Sequence, residues 1–424
     1  MVAGGVAGFF FWAMLALLAL AALAALPYSA LIAAFLLRRR GALAAERALA
    51  AAAPAGAALP PVLVQIPTHN EPRVIARALR AAAALDWPRE RLAIQVLDDS
   101  TDDTGARAEA AAAALRHDGL RIDILRREDR AGFKAGALQA GLARSDAPFV
   151  AMFDADYVPP PGWLRGAYAA MRADVGFVQT RIAHLNRDEN ALTRAQALVL
   201  DLHYAFEQPA RAWIGLPNRF NGTCGLWRRQ ALDEAGGWSG ETLAEDLDVS
   251  YRAQARGWRA AYLVLVSAPG ELPAKWRAWK AQQYRWTKGT AEATLKTLRG
   301  VLPRLALWRR ALLVSLALAE TLLPILAVLA AVAGVAHLAA GGPLYDPVLT
   351  TAVWATIGLH AAARIAGVLL SRRLLGEAAT RRLLADLGAA LAFEISLAAE
   401  RIRATSSAVA GRRSGFVRTE KRGA

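Results

Sequence analysis

Phe149-Val150-Ala151-Met152-Phe153-Asp154-Ala155-Asp156 runs five apolar residues into two carboxylates separated by one alanine. A short apolar run of this kind predicts a buried β-strand, and the acids mark its end. Working outward, Val62–Ile66, Ala93–Leu97 and Arg121–Leu125 repeat the pattern. Helical stretches fall between them, at about 72–84, from Thr101–Thr104 onward, and at Lys134–Ala143. Strands alternating with helices predict an α/β domain built on a mainly parallel, Rossmann-like sheet. Ligands of such sheets bind beyond the carboxyl ends of the strands. Asp98-Asp99 and Asp154-Ala155-Asp156 both stand at predicted strand ends.

Each polar cluster has a chemical reading and a plainer one. If the backbone stays extended, Asp154 and Asp156 point to one side. Two hard oxygen ligands suit Mg2+ or Mn2+ shared with a diphosphate; the plainer reading is a solvated turn. Asp98 or Asp99 can accept hydrogen bonds from a nucleobase or ribose, or cap the next helix. Lys134, in Gly132-Phe133-Lys134-Ala135-Gly136, can pair with phosphate or lie on a surface turn. Glu245-Asp246 precedes the helical stretch Val249–Arg256. One of these carboxylates can take a proton from an attacking hydroxyl, or all can complement a helix dipole. Gln282-Gln283-Tyr284-Arg285-Trp286 follows a Trp- and Lys-rich stretch that reads as an interfacial helix. Trp286 can also offer a sugar platform, and Arg285 a diphosphate contact. Cys224 is the single cysteine, which excludes an intrachain disulfide and fits a reducing compartment.

The flanks of this domain are apolar. Residues 1–37 carry no charged side chain. A run of this length is long enough to cross a bilayer, which takes roughly 20 apolar residues. A signal peptide would have a basic start and a shorter core, so residues 6–37 are expected to be a retained transmembrane helix. Pro27 is a candidate kink, and an Ala-rich helical connector follows at about 41–58. Residues 311–370 hold two further apolar runs, Ala311–Leu338 and Val348–Leu370, joined by a Gly-Gly-Pro loop. Glu320 falls in the first of them, either inside the membrane or at its edge. The net charge is +15. It gathers at Arg38–Arg40, at Arg304, Arg309 and Arg310, and at Arg372, Arg373, Arg381 and Arg382. Charge at membrane boundaries is the positive-inside pattern, so residues 38–310, which hold the 60–300 domain, are expected in the cytoplasm and nucleic acid is not expected as a partner. Residues 381–424 read as an interfacial helix and a basic tail.

Taken in order, the polar stretches resemble the membrane-integrated family 2 glycosyltransferases, the inverting group that includes cellulose, hyaluronan and chitin synthases. The spelling is most similar to cellulose-synthase-like mannan synthases. It is carried by Gln95–Thr104, Arg130–Leu138, Phe153–Asp156, Phe220–Thr223 with Trp227–Arg229, Thr242–Asp248 and Gln282–Trp286. The resemblance implies a GT-A fold at the inner or plasma membrane. It implies transfer of a hexose from a nucleotide-sugar of the UDP-glucose or GDP-mannose type to a polysaccharide, or alternatively to a lipid. Asp98, Asp99 and Lys134 would bind the donor, as would Asp154, Gln282 and Arg285. Asp154 and Asp156 would hold the metal. Asp246 would be the base, with Glu245 beside it. Phe220, Asn221, Gly222, Thr223 and Trp286 would meet the acceptor. Phe416-Val417-Arg418-Thr419-Glu420-Lys421 is similar to the family's gating loop, with Phe416, Thr419 and Lys421 as its matching residues. Arg418 and Glu420 depart from the usual valine and proline. Two or three spans are few for a polymer channel, so sugar transfer is expected more firmly than export. Subunits of a synthase complex are possible partners.

Overall fold

The protein is described from a computed structural model, covering residues 2–52, 59–377, 381–412 and 423. The gating-loop-like residues Phe416, Thr419 and Lys421 lie outside the described residues, as does the side chain of Glu320.

Seven strands form one sheet: β1 (Val62–Thr68), β2 (Leu92–Asp98), β3 (Arg121–Arg126), β4 (Phe149–Met152), β5 (Val175–His184), β6 (Gly225–Arg228) and β7 (Arg259–Gly270). Their order is β3-β2-β1-β4-β6-β5-β7. β1, β2, β3 and β4 are parallel, as are β5 and β7; β6 runs antiparallel to both its neighbours. The expected mainly parallel sheet is therefore present, with one reversed strand. β1 is central and buried along its whole length, as its apolar composition requires of a strand covered on both faces. Val62, Val64 and Ile66 enter one core, with Leu79 of α3 (Ile75–Ala83) and Ala108 of α4 (Thr104–His117). Leu63 enters the other, with Leu138 of α5 (Phe133–Leu142) and Val249 of α10 (Glu245–Ala255). Just before α4, Asp102 Oδ1 accepts the Thr104 N–H at 3.0 Å, while Asp103 at the cap position makes no side-chain cap bond.

The apolar flanks are helical. α1 (Val2–Leu23) breaks at Ala24–Ala25, and α2 (Leu26–Ala51) begins with Pro27 in its first turn. Proline there costs no hydrogen bond, so Pro27 starts a helix instead of kinking one. α12 (Leu307–Ala339) and α13 (Pro347–Leu374) pack along α1. The helical runs Gly5–Ala51 and Pro347–Leu374 are long and apolar enough to cross a membrane; within α12 the shorter stretch Ile325–Ala339 is the apolar one. Phe9, Trp12, Val335 and Trp354 on these helices are about two-thirds exposed. A large exposed apolar belt is what lipid or another apolar surface covers.

α14 (Arg381–Val409) is longer than its expected extent and lies on α7 (Ala191–Asp201) and α11 (Trp276–Val301). A third core joins flanks to domain: Phe35 of α2, Leu198 of α7, Phe206, Leu313 of α12 and Leu383 of α14. Glu46 of α2 adds a polar tie. β5 and β7 lose register between Thr180/Leu263 and Arg181/Ser267. Residues 264–266 thus bulge out of the ladder, and their backbone N–H groups donate to Glu46 at 3.0, 2.6 and 3.3 Å.

Candidate active site

The strand ends of β1, β4 and β5 open into a cleft of about 480 Å³. α5, α10 and α11 supply its other walls.

Beyond Met152 the chain turns, with the Tyr157 N–H donating to the Asp154 carbonyl at 3.0 Å. The extended backbone assumed for Asp154 and Asp156 is therefore absent, yet both residues line the cleft. Asp154 is partly exposed; its Oδ1 meets Lys134 Nζ at 2.5 Å. Asp156 is buried, and its Oδ2 accepts the Glu271 N–H at 3.2 Å. Among the described residues no group of three or more His, Cys, Asp or Glu converges as a metal site. Two carboxylates with one exposed suit a hard cation whose remaining ligands come from a diphosphate.

Lys134 sits in the first turn of α5, which Gly132 opens at φ +69°. Its ammonium also donates to the Gly222 carbonyl at 2.8 Å and lies 3.9 Å from Glu245. Burial disfavours this charge, but Asp154, Glu245 and Asp246 outweigh burial and raise the pKa. The lysine is thus held as a cation.

Glu245 and Asp246 lie in the first turn of α10, whose helix begins at Glu245 and so earlier than expected. Asp246 is pushed up to about 7, by burial first and then by the Glu245 charge. Burial also raises Glu245, against the pull of Lys134. Gly222 approaches this pair closely. Its φ is +73°, and a Cβ there would stand 2.8 Å from Asp246 Oδ2 and 3.3 Å from Lys134 Nζ. Only glycine meets both conditions without strain.

The neighbouring segment is a framework. Thr223 Oγ1 accepts the Asp154 N–H at 3.0 Å, and the Asn221 N–H donates to Gln179 Oε1 at 2.9 Å. Phe220 is buried among Phe177, Trp227 and Trp238 while still lining the cleft. On α11, Gln282, Arg285 and Trp286 also line the cleft. Trp286 is 40% exposed and packs edge-on against Trp279. Burial lowers the Arg285 pKa, with Glu245 and Asp154 opposing.

At the other end, the structure separates the two carboxylates of Asp98-Asp99. Asp99 lines the cleft and is gripped by Arg127 through Nε at 3.0 Å and Nη2 at 2.5 Å. Asp98 lies behind the wall, accepting the Ser100 N–H at 3.0 Å, with Gly105 packed over its Oδ2. Sequence reading passed over Arg127, because its link to Asp99 is tertiary. It passed over His203 and Glu207 too, which a π-helical turn, Leu202–Glu207, brings to the cleft. Their ion pair at 2.9 Å has the i, i+4 spacing, the one local signal available.

The profile of the family described as glycosyltransferase like family 2 matches residues 60–289, more than half of the chain. Glucomannan 4-beta-mannosyltransferase 1 of Oryza sativa subsp. japonica is 39% identical over 263 residues, 60% of this chain and 50% of its own length. Glucomannan 4-beta-mannosyltransferase 2 of Arabidopsis thaliana is 40% identical over 259 residues, 59% of this chain and 48% of its own length. The chain thus spans about half the length of these curated relatives. A mannosyltransferase from Pyrobaculum calidifontis, solved in complex with GDP-Man and Mn2+, superposes with a TM-score of 0.55 at 22% identity. The match covers 81% of this chain and 98% of that one, and it shows a shared fold.

Proposed function

The chain belongs to glycosyltransferase like family 2, and on that premise we propose that it transfers a hexose, with inversion, from a nucleoside-diphosphate sugar at the cytoplasmic face of a membrane. The observation that carries this reading is the convergence on one cleft of Lys134, paired to Asp154 at 2.5 Å, with the buried acids Glu245 and Asp246. An acceptor hydroxyl attacks the anomeric carbon as the bond from that carbon to the diphosphate breaks. Asp246 takes the hydroxyl proton. Lys134 and Arg285 offset the charge left on the diphosphate. Asp154 and Asp156 would hold Mg2+ or Mn2+, which neutralises the same leaving group when bound. Asp99 bounds the nucleoside end, and Asp98 braces the strand end that presents it. Gln282 steadies the diphosphate. Trp286 offers a ring face to the acceptor sugar, and Phe220–Thr223 form the wall along which it lies.

The names of the curated relatives make a mannose donor the first to test, GDP-mannose before UDP-glucose, and a β-linked polysaccharide the leading acceptor. A lipid acceptor is the second reading, since few helices long and apolar enough to span a membrane occur among the described residues. Membranes holding the chain, incubated with labelled UDP- and GDP-sugars, should incorporate label from one hexose donor into product. Loss of nucleotide release with every donor would remove the reading. Label found solely in lipid-sized, organic-soluble product would replace the polysaccharide by a lipid.

A further inference from the structure

α10, whose first turn carries Glu245 and Asp246, begins on Ala244, a residue whose side chain offers no cap. Support for this start comes from α11. Glu292 Oε2 accepts the Leu243 N–H at 3.0 Å, and Glu292 Oε1 lies 3.4 Å from Lys288 Nζ. One turn on, Lys296 Nζ lies 2.5 Å from Glu241 Oε2 and 3.0 Å from Asp248 Oδ1. Gly289, one turn before Glu292, has no room for a Cβ, which would stand 2.8 Å from the Ala244 nitrogen and 2.9 Å from the Leu243 carbonyl carbon. Ala293 is buried with Leu247 and packs against Ala244. Gly289, Glu292, Ala293 and Lys296 recur at helical spacing, so these contacts form one face of α11.

We propose that Glu292 is a positioning residue for transfer: it fixes the loop 241–244, and through that loop the place of Asp246 in the cleft. The proposal deepens the sugar-transfer reading and rests on Asp246 as the base.

Glu292 is itself held. Lys288 is wholly buried, and its ammonium donates to the Arg412 carbonyl just beyond α14 as well as meeting Glu292. That contact takes one oxygen of the carboxylate and leaves the other for the Leu243 N–H. A backbone N–H bound to a carboxylate makes a bond roughly twice as strong as one to a neutral acceptor. The brace is therefore strong where the helix start has no cap of its own.

The same helix serves the other side of the reaction. Arg285, about two turns before Glu292, lines the cleft. Inversion places the base and the leaving diphosphate on opposite sides of the anomeric carbon. A single helix that carries both the diphosphate contact and the brace of the base loop sets their separation. A misplacement of about 1 Å between reacting groups can cost about 100-fold in rate.

The test uses membranes holding the full chain, with Mn2+ and GDP-mannose, or UDP-glucose if that is the hexose donor transferred. Turnover is counted per donor-binding site, measured with labelled donor, so that unfolded protein does not enter. Glu292→Ala should lower turnover per site by about 10- to 100-fold, with the donor Kd within about twofold of the parent. A role in stability alone would reduce the number of sites and leave turnover per site as it was. Glu292→Gln keeps an acceptor for the Leu243 N–H and should recover at least about threefold of the loss. Gly289→Ala pushes Ala244 off α11 while keeping every charge, and it should lower turnover per site in the same way. It decides the matter if Glu292→Ala binds no donor. Parent-like turnover per site in the deciding variant overturns the proposal. So does a loss that Glu292→Gln leaves unrelieved, which would put the effect in the charge facing Lys288. A donor Kd weakened as much as turnover also overturns it, since Glu292 would then serve the donor. Asp246→Asn, run beside them, separates the two readings. Parent-like turnover there removes the base assignment; its loss beside a parent-like Glu292→Ala removes the brace alone.

Discussion

Asp246 is an ordinary aspartate made basic by its surroundings. Burial and the adjacent Glu245 push it up to about 7. Below that pH it holds a proton and cannot accept another. The kcat/KM for transfer is therefore expected to rise with pH and level off above about 7. Asp246→Asn should lower transfer by about 10³-fold and remove that pH limb, while a labelled donor still binds. Turnover near the parent's would show that another group is the base. Asp156 differs, being buried and pinned by the Glu271 N–H. Asp156→Ala should raise the Mn2+ concentration needed for half-maximal donor binding by about tenfold, a loss in keeping with one metal-binding carboxylate. Calorimetric titration of donor against metal would check it, and an unchanged requirement would count against the ligand role. These acids were legible in sequence because each ends an apolar run or opens a helix. What separates Asp98 from Asp99 was not legible. Arg127 and Gly105, which decide which of the two faces the cleft, come from other elements.

At the scale of elements, the strand–helix alternation foretold β1 to β4 and the helices between them. β5, β6 and β7 were not foretold, and β6 is the reversed one. It holds four residues, and its reversed direction follows from its pairing with β4 and β5. The bulge in β7 is likewise tertiary, since it exists where Glu46 can serve three displaced N–H groups. Glu46→Ala should leave these donors buried without a partner and destabilise the fold by about 2–4 kcal/mol. Glu46→Gln, which keeps one acceptor oxygen, should cost about half of that. Thermal unfolding of the two variants in detergent would rank them, and equal midpoints for Glu46→Ala and the parent would show the tie to be dispensable. Polar side chains also join the apolar helices. His337 Nδ1 and His360 Nε2 lie 3.0 and 2.8 Å from carbonyls of α1, and the Thr356 hydroxyl donates to Leu18 at 3.3 Å. Such contacts supply specificity where apolar packing alone does not distinguish neighbours.

For the whole molecule, the basic clusters at Arg38–Arg40 and Arg372–Arg373 lie in the C-terminal parts of the two helical runs that are long and apolar enough to cross a membrane. If those runs and α12 all cross a bilayer, the positive-inside rule sets residues 38–310 in the cytoplasm and the loop between α12 and α13 outside. A cysteine placed at Tyr345, an exposed residue in the loop between α12 and α13, should then react with an impermeant maleimide on intact cells. One placed at exposed Glu109 should react after lysis alone. The opposite pattern would invert the topology, and reaction of both on intact cells would show that the domain is not enclosed. Local signals carried the α/β class, the apolar flanks and the placing of acids at strand ends and a helix start, because apolar period, turn residues and charge placement act over a few neighbours. Tertiary structure alone decided which of Asp98 and Asp99 faces the cleft, and where β6 and the β7 bulge fall. It also brought a π-helical turn and Arg364 of α13 to one side of the cleft. Those outcomes depend on contacts between separate elements, from Asp99 with Arg127 to Glu207 with Arg364, and no local pattern encodes which partner a buried charge will find.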